Sequence, residues 1–433
     1  MSGAILVLAI TFIVLLLLNV PVAFCMGIAT LAGVMVSGDL PSLLIVAQKM
    51  ATGIDKFALL AIPFFILSGL LMGQGGIARR LIDFANVVVG RFTGGLAFVN
   101  ILTCMLFGSI SGSAAAAVSS VGGFMIPLMN KMGYHRDFNA SISITAATTG
   151  LLIPPSNVMI VYSLATGGAC SIAAMFIAGI LPGILVGLGL MIVAGIISAR
   201  RGYGKGERFS FAEGVKKFFA AIPALLLVII VLGGILKGIF TATEASAIAV
   251  VYSLILSVIV YREVKVRDLP AIILQSAVTT AVVMILIATS MAMSWFLARE
   301  NVPQNISAFL LGLTGSKVMI LLIINVMLLI VGTFMDMTPA VLIFTPIFLP
   351  VVKSVGVSPL HFGIIMIMNL CIGICTPPVG TCLFLGCGIA ETTVTKVIRH
   401  IWPFFVSMII VLLICTYVPA ISLWLPGLFG FKN

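Results

Sequence analysis

Two short segments, GLLIPPSN at 150–157 and GICTPPVG at 373–380, interrupt long apolar runs with the same breaker pattern. The interval from Gly150 to Gly373 equals the interval from Pro154-Pro155 to Pro377-Pro378. A proline inside a helix has no N–H to donate and clashes with the preceding turn, at a cost of about 3 kcal/mol or more. Within lipid the freed carbonyls need partners in buried protein, cavity water or a bound ion. Paired breaks in corresponding places of two halves therefore point to a transporter's binding site.

Lipid is the right surrounding, because 61% hydrophobic and 8% charged residues cannot cover 433 residues with a soluble surface. The chain reads as an all-α polytopic membrane protein. Its first apolar run, residues 3–36, is too long for a signal-peptide core and lacks a basic leader or a small-residue cleavage site. Asn19-Val20-Pro21 divides it into two spans. The net charge of +11 resides in short loops between spans, where it reports topology and gives no reason to expect nucleic acid. The eight cysteines sit almost entirely in apolar stretches; Cys371, Cys375, Cys382 and Cys387 cluster without a metal-type Cys-x-x-Cys pair. With three histidines (His135, His361 and His400) and no His-Glu-x-x-His, Walker or Gly-x-Ser-x-Gly pattern, nothing points to an enzyme.

At roughly 20 apolar residues per span, crossings are expected near 3–20, 21–38, 53–75, 137–167 and 172–199, then near 219–238, 242–261, 268–298, 361–390 and 400–425. Between the third and fourth span of each set lies one more apolar stretch, 93–128 and 316–352, read as re-entrant hairpins with tips GSISGSA (108–114) and GTFMDMTPA (332–340). Pro127 precedes Pro350 by the interval that separates the two Pro-Pro breaks, which marks an internal repeat. The first repeat spans 1–218 (scaffold helices 1–52, hairpin 93–128, broken helix 137–167) and the second 219–433 (scaffold helices 219–261, hairpin 316–352, broken helix 361–390).

Five crossings per repeat is odd, so the halves must be inverted in the membrane. With the basic loop 200–218 in the cytoplasm, that side collects 16 of the 23 Lys and Arg residues, among them Arg79, Arg80, Lys205, Arg208, Arg262 and Lys396. Lys49, Lys56, Lys237, Arg299, Lys317, Lys353 and Lys432 remain. This asymmetry favours both termini outside.

The runs FGSISGSAAAAVSS (107–120), TTGLLIPPSNVMIVYSLATG (148–167), ALLAIPFFILSGLLM (58–72) and CTPPVGTCLF (375–384) resemble the large membrane subunit of tripartite ATP-independent periplasmic (TRAP) transporters, and the resemblance covers essentially the whole chain. It implies a bacterial inner-membrane sodium symporter with an elevator mechanism. The implied partners are a periplasmic substrate-binding protein and a small four-helix membrane subunit, here expected as a separate chain.

Sodium takes about five or six hard oxygen ligands, which a Ser- or Thr-bearing hairpin tip facing an unwound segment can provide. One ion per half is expected, with no other metal. Ser109, Ser111, Gly332 and Thr333 carry over from the family's hairpin-tip pattern; Gly150, Pro154, Gly373, Thr376 and Pro377 are the facing backbone segments. Ser113, Ser156, Arg299 and Asp336 are the substrate candidates: a central Asp costs about 2.5–3.5 kcal/mol in a membrane helix, and a guanidinium can fork a carboxylate. Asp336 would repel an acid group and suits substrate hydroxyls or an amide, which leans the substrate toward sialic acid. The alternatives are a C4-dicarboxylate, or a stand-alone sodium/dicarboxylate symporter that needs no binding protein. The hairpins and broken helices are expected to move as one block against 1–38 and 219–261, with 77–91 and 300–315 as interfacial arms.

Overall fold

The computed structural model describes residues 3–38, 41–204, 211–377 and 380–431. Lys205, Arg208, Lys432 and Pro378 lie outside the described residues. All extended regular structure among the described residues is helical. The first half contains α1 (Gly3–Leu17), α2 (Val22–Val36), α3 (Pro41–Ile54), α4 (Ala61–Gln74) and α5 (Ile77–Val89). Its hairpin is α6 (Gly95–Ser111) with a return limb of α7 (Ala114–Ala117), a π turn and α8 (Gly123–Lys131). The broken helix follows as α9 (Arg136–Ala147) and α10 (Asn157–Ala165), then α11 (Ile172–Arg200).

The second half opens with α12 (Phe211–Leu236), α13 (Ala242–Leu254, prolonged by a π segment to Val260), α14 (Leu269–Arg299) and α15 (Val302–Leu313). Its hairpin is α16 (Lys317–Phe334) and α17 (Met337–Ser354); α18 (Pro359–Gly373) and α19 (Thr381–Ile389) form the broken helix, before α20 (Val394–Tyr417) and α21 (Ala420–Leu428). Corresponding elements begin at a nearly constant interval: Ile77 and Val302, Gly95 and Lys317, Arg136 and Pro359, Asn157 and Thr381, Ile172 and Val394. The spacing of the prolines thus extends to whole elements.

Eight helices among the described residues are long and apolar enough to cross a membrane; six coincide with expected spans, and the other two, α16 and α17, are the limbs of the second hairpin. The remaining four of the ten expected spans are the two broken ones and the first two, where α1 and α2 have 15 residues each, about 22 Å. The expected span 53–75 starts only at Phe57, because Lys56 is extended and a separate helix, α3, precedes it. Its counterpart α14, which has no such polar interruption, runs unbroken for 31 residues. The span 400–425 divides at Val418-Pro419 into α20 and α21, as expected for a residue that cannot donate to the helix ladder. The basic stretch 200–218 is helical from Phe211 onward, and Lys217 Nζ on α12 pairs with Asp83 Oδ1 on α5 at 3.2 Å.

At the centre, residues 137–147 of α9 and 360–373 of α18 are buried on every side; they are apolar or small apart from Asp137, Asn139, His361 and Asn369, which hydrogen-bond to neighbouring segments. Cys371 Sγ reaches the Thr148 carbonyl at 3.5 Å and Cys375 Sγ the Ile144 carbonyl at 3.4 Å, joining the two broken helices. All eight cysteines are buried and unbridged. Tyr162 Oη donates to the Pro359 carbonyl at 2.6 Å, a second link between the halves. Around this centre, α4 packs on α13 through Ser68 Oγ and Ser253 Oγ, 2.8 Å apart. The α17 limb has 67% of its span buried, against 28–44% for the other seven spanning helices, so it is lined by protein.

Candidate functional site

Each hairpin meets its broken helix through a pair of glycines. A Cβ on Gly108 would stand 2.5 Å from Gly150 Cα, and a Cβ on Gly373 would stand 2.5 Å from Gly332 Cα. Backbone lies directly on backbone at both places, so only glycine fits. Gly69 of α4 is similarly bare, with a Cβ position 2.7 Å from the Ser111 carbonyl, which lets the first tip settle against the scaffold. From sequence, Gly150, Gly332 and Gly373 are expected as ion-site backbone; the structure gives them a packing role which that reading did not include. Gly108 was missed, although it precedes Gly332 by almost the interval of the repeat.

The hydroxyls beside these crossings repeat as well. Ser109 Oγ donates to the Leu106 carbonyl at 2.8 Å and Thr333 Oγ1 to the Ile330 carbonyl at 2.7 Å. In both, the proton is turned back into the helix and the oxygen lone pairs are left to face outward. Thr376 Oγ1 does the same toward the Ile372 carbonyl at 2.7 Å. Pro154 offers no N–H to the Gly150 carbonyl four residues earlier. In the first half, Ser156 Oγ and Asn157 Oδ1 are buried without a hydrogen-bond partner. These oxygens fit a hard cation, since a buried polar atom left unpaired costs about 1–3 kcal/mol.

Above the crossings is a cavity of about 700 Å³. The N-terminal residues of four helical segments line it: Ala114, Asn157, Met337 and Thr381, two from each half. Four half-helices thus point the positive ends of their dipoles at one volume. Ser111 and Ser113 of the first tip and Asp336 and Thr338 of the second also face it. Ser113 Oγ caps the return limb, accepting from Ala116 N at 3.3 Å. Asp336 occupies the N-cap position of α17 but makes no capping hydrogen bond, and its side chain is open to the cavity. Gln74 of α4 and Gln275 and Thr279 of α14 complete the polar wall. Sequence reasoning missed these three, because an isolated amide or hydroxyl in an apolar helix gives no motif.

Of the residues expected to meet substrate, the cavity brings together Ser113 and Asp336. Ser156 is buried beneath it, next to the lining residue Asn157. Arg299 stands apart at the end of α14, outside the cavity wall: Nη1 donates to Ser42 Oγ of α3, and the guanidinium lies 5.7 Å from the Trp295 ring centroid. Its position in the last turn of α14 places it outside the cavity that the hairpin tips line. Among the expected sodium-site residues, Ser111 reaches the cavity, while Ser109, Gly150, Pro154, Gly332, Thr333, Gly373, Thr376 and Pro377 are not part of its wall.

Residues 9–421 match the family described as tripartite ATP-independent periplasmic transporter, DctM component. The uncharacterized protein YgiK of Salmonella typhimurium is 49% identical over 97% of this chain and 96% of its own. The C4-dicarboxylate TRAP transporter large permease protein DctM of Pseudomonas aeruginosa is 43% identical over 89% and 90%. The sialic acid TRAP transporter large permease protein SiaM of Vibrio cholerae is 36% identical over 96% and 96%. The solved YdaH transporter of Alcanivorax borkumensis shares the fold, with a TM-score of 0.66 at 14% identity over 91% of this chain and 90% of its own. With a match that runs from the second turn of α1 into α21, the chain belongs to the DctM family of TRAP transporter large membrane subunits, and is a multi-pass inner-membrane transport protein rather than an enzyme.

Proposed function

We propose that this subunit imports an organic acid together with sodium ions, receiving the acid from a periplasmic binding protein and working beside a small four-helix membrane subunit. The observation that carries the reading is the convergence of four helix N-termini on one polar cavity. Each N-terminus favours a negative group by about 0.3–1 kcal/mol, so an anion can be held with no basic side chain among the described lining residues. Arg299 is therefore not needed for the carboxylate in this conformation. Sodium at the two Gly–Gly crossings, one per half, would add the remaining positive charge.

The substrate we favour is a hydroxylated acid such as sialic acid. Asp336 is the single charged residue of the described wall, and the rest of the polar lining is amide and hydroxyl. That set bonds hydroxyls and an acetamido group well, whereas a second carboxylate would meet Asp336 without a basic partner. A C4-dicarboxylate is the second reading, favoured by the 43% identity to a relative named for it. Paired hairpins and broken helices of matching spacing support an elevator, in which the block they form crosses against α1–α4 and α12–α14.

The test is uptake into proteoliposomes under an imposed sodium gradient, with both membrane subunits and the cognate binding protein. Sialic acid uptake that needs the gradient and the binding protein is expected. Uptake of succinate with none of sialic acid would overturn the substrate reading, and uptake by the purified chain alone would make it a stand-alone symporter. Thr333→Ala is expected to raise the half-saturating sodium concentration about tenfold, the effect of losing roughly 1.4 kcal/mol from one oxygen bonded to a charge. An unchanged sodium curve would remove the second tip from the ion site.

A further inference from the structure

A cluster of ligating side chains lies away from the cavity, at the end of the molecule that carries the basic loops. His135, in the turn before α9, Asp137, in its first turn, and His400 of α20 each bring one ligand atom to within 4.8 Å of the others. The two imidazoles stack, with ring centroids 4.8 Å apart and planes at 19°. His135 Nδ1 is 3.7 Å from Asp137 Oδ2.

Neighbouring groups decide which atoms are presented. His400 Nδ1 lies 3.2 Å from the Lys396 carbonyl, which can only accept, so Nδ1 carries the proton and Nε2 keeps its lone pair. Asp137 Oδ1 accepts from Thr392 Oγ1 at 2.5 Å, leaving Oδ2 turned toward His135. Two neighbouring guanidiniums, those of Arg136 and Arg201, are engaged elsewhere. Arg136 Nη1 donates to the Glu391 carbonyl at 3.1 Å, and Arg201 lies 5.7 Å from the Phe138 ring centroid. The positions that correspond in the other half, at the interval of the repeat, are Ser358, Leu360 and Ile177, so the repeat does not require these side chains.

We propose that His135, Asp137 and His400 bind one zinc ion, with water as the fourth ligand. Two imidazole nitrogens and one carboxylate oxygen suit a borderline cation and not magnesium or calcium, which take oxygen shells. Zinc bonds of about 2.0–2.2 Å in a tetrahedron put ligand atoms about 3.3 Å apart. Closing the cluster to that size takes a movement of about 1.5 Å, and His135, with 52% of its side chain exposed, has room for it. Thr392 acts as a positioning residue for the carboxylate, and a bound ion would fasten the start of the first broken helix to α20.

The experiment is a calorimetric titration of the full-length protein in detergent, stripped with chelator, with zinc and separately with magnesium, alongside visible absorption on adding cobalt. One zinc per chain is expected, with cobalt giving tetrahedral d–d bands and magnesium giving no binding. His135→Ala and His400→Ala should each weaken zinc by more than about 100-fold, and Thr392→Val by about 10–100-fold. Size-exclusion profiles identify any variant that fails to fold; His400→Gln then replaces His400→Ala. Wild-type protein that takes no zinc, zinc affinity untouched by either histidine variant, or magnesium binding as tightly as zinc would each overturn the assignment.

Discussion

A single hydrogen-to-methyl change tests the Gly–Gly crossings, because its sign depends on what the new carbon meets. At Gly373 it meets Gly332 Cα at 2.5 Å, and backbone cannot swing aside as a side-chain end can. Overpacking of this kind costs about 1–3 kcal/mol, so Gly373→Ala should lower the melting temperature in detergent and abolish uptake. Gly123, helical with open space around its Cβ position, is the matched control. There alanine should stabilise by about 0.5–1 kcal/mol through backbone entropy. A Gly373→Ala protein as stable and active as wild type would remove the crossing as a constraint. The same residues mark how far the sequence was legible. Pro154 and Gly373 announce a break by their chemistry, whereas Gly108, within a helix, carries no signal until its neighbour is known. Arg299 shows the opposite limit: a guanidinium at a span's end draws the eye in the sequence, but the sequence does not say that it meets Ser42 of α3, outside the cavity wall.

At the scale of elements, both halves turn from scaffold to arm through a left-handed residue. Gly76 (φ 69°) precedes α5 and Asn301 (φ 56°) precedes α15. These corners are where an elevator block would pivot on its arms. The left-handed region costs an ordinary L-residue about 1–2 kcal/mol, with Gly exempt and Asn favoured among the rest. Asn301→Gly should therefore keep stability and uptake, while Asn301→Val should lose about 1–2 kcal/mol of apparent stability, measured by thermal unfolding, and slow uptake. Equal behaviour of the two variants would show that the corner does not hold its conformation. Element positions were readable where apolar length and proline decide them, as in α11, α14 and both hairpins. They were misjudged where a short polar pair decides: Asp55-Lys56 separates α3 from α4, and an apolar count sees no boundary there.

For the whole molecule, α14 serves as a ruler between the cavity and a closely packed region. Gln275, about 9 Å from the start of α14, faces the cavity, and Gln74, the last residue of α4, reaches the same end. Ile287 and Met291, about 27–33 Å along, pack with Leu59 against Val161, Leu164 and Leu342 around a void of only about 10 Å³. A cavity beside one end of α14 and close packing beside the other is the arrangement expected of one of the two states alternating access requires. The cavity end of α14 adjoins in sequence Arg262, Lys265 and Arg267, as the end of α4 adjoins Arg79 and Arg80, and the basic-residue rule puts these in the cytoplasm. No single segment could have disclosed this, since the wall joins residues 62–74 to 275–283 and to hairpin tips from opposite halves of the chain; His135 and His400 were hidden by the same kind of separation. A cysteine at Gln275 makes the orientation measurable against eight native thiols that are all buried. In inside-out vesicles Gln275→Cys should react with a membrane-impermeant maleimide, and in right-side-out vesicles it should not. Sodium and substrate together should slow the reaction by drawing the loaded block across, while sodium alone should slow it little, since an incompletely loaded block that crossed freely would destroy coupling. Labelling solely from the periplasmic face would reverse the topology, and labelling equal from both faces would replace the closed end with a channel.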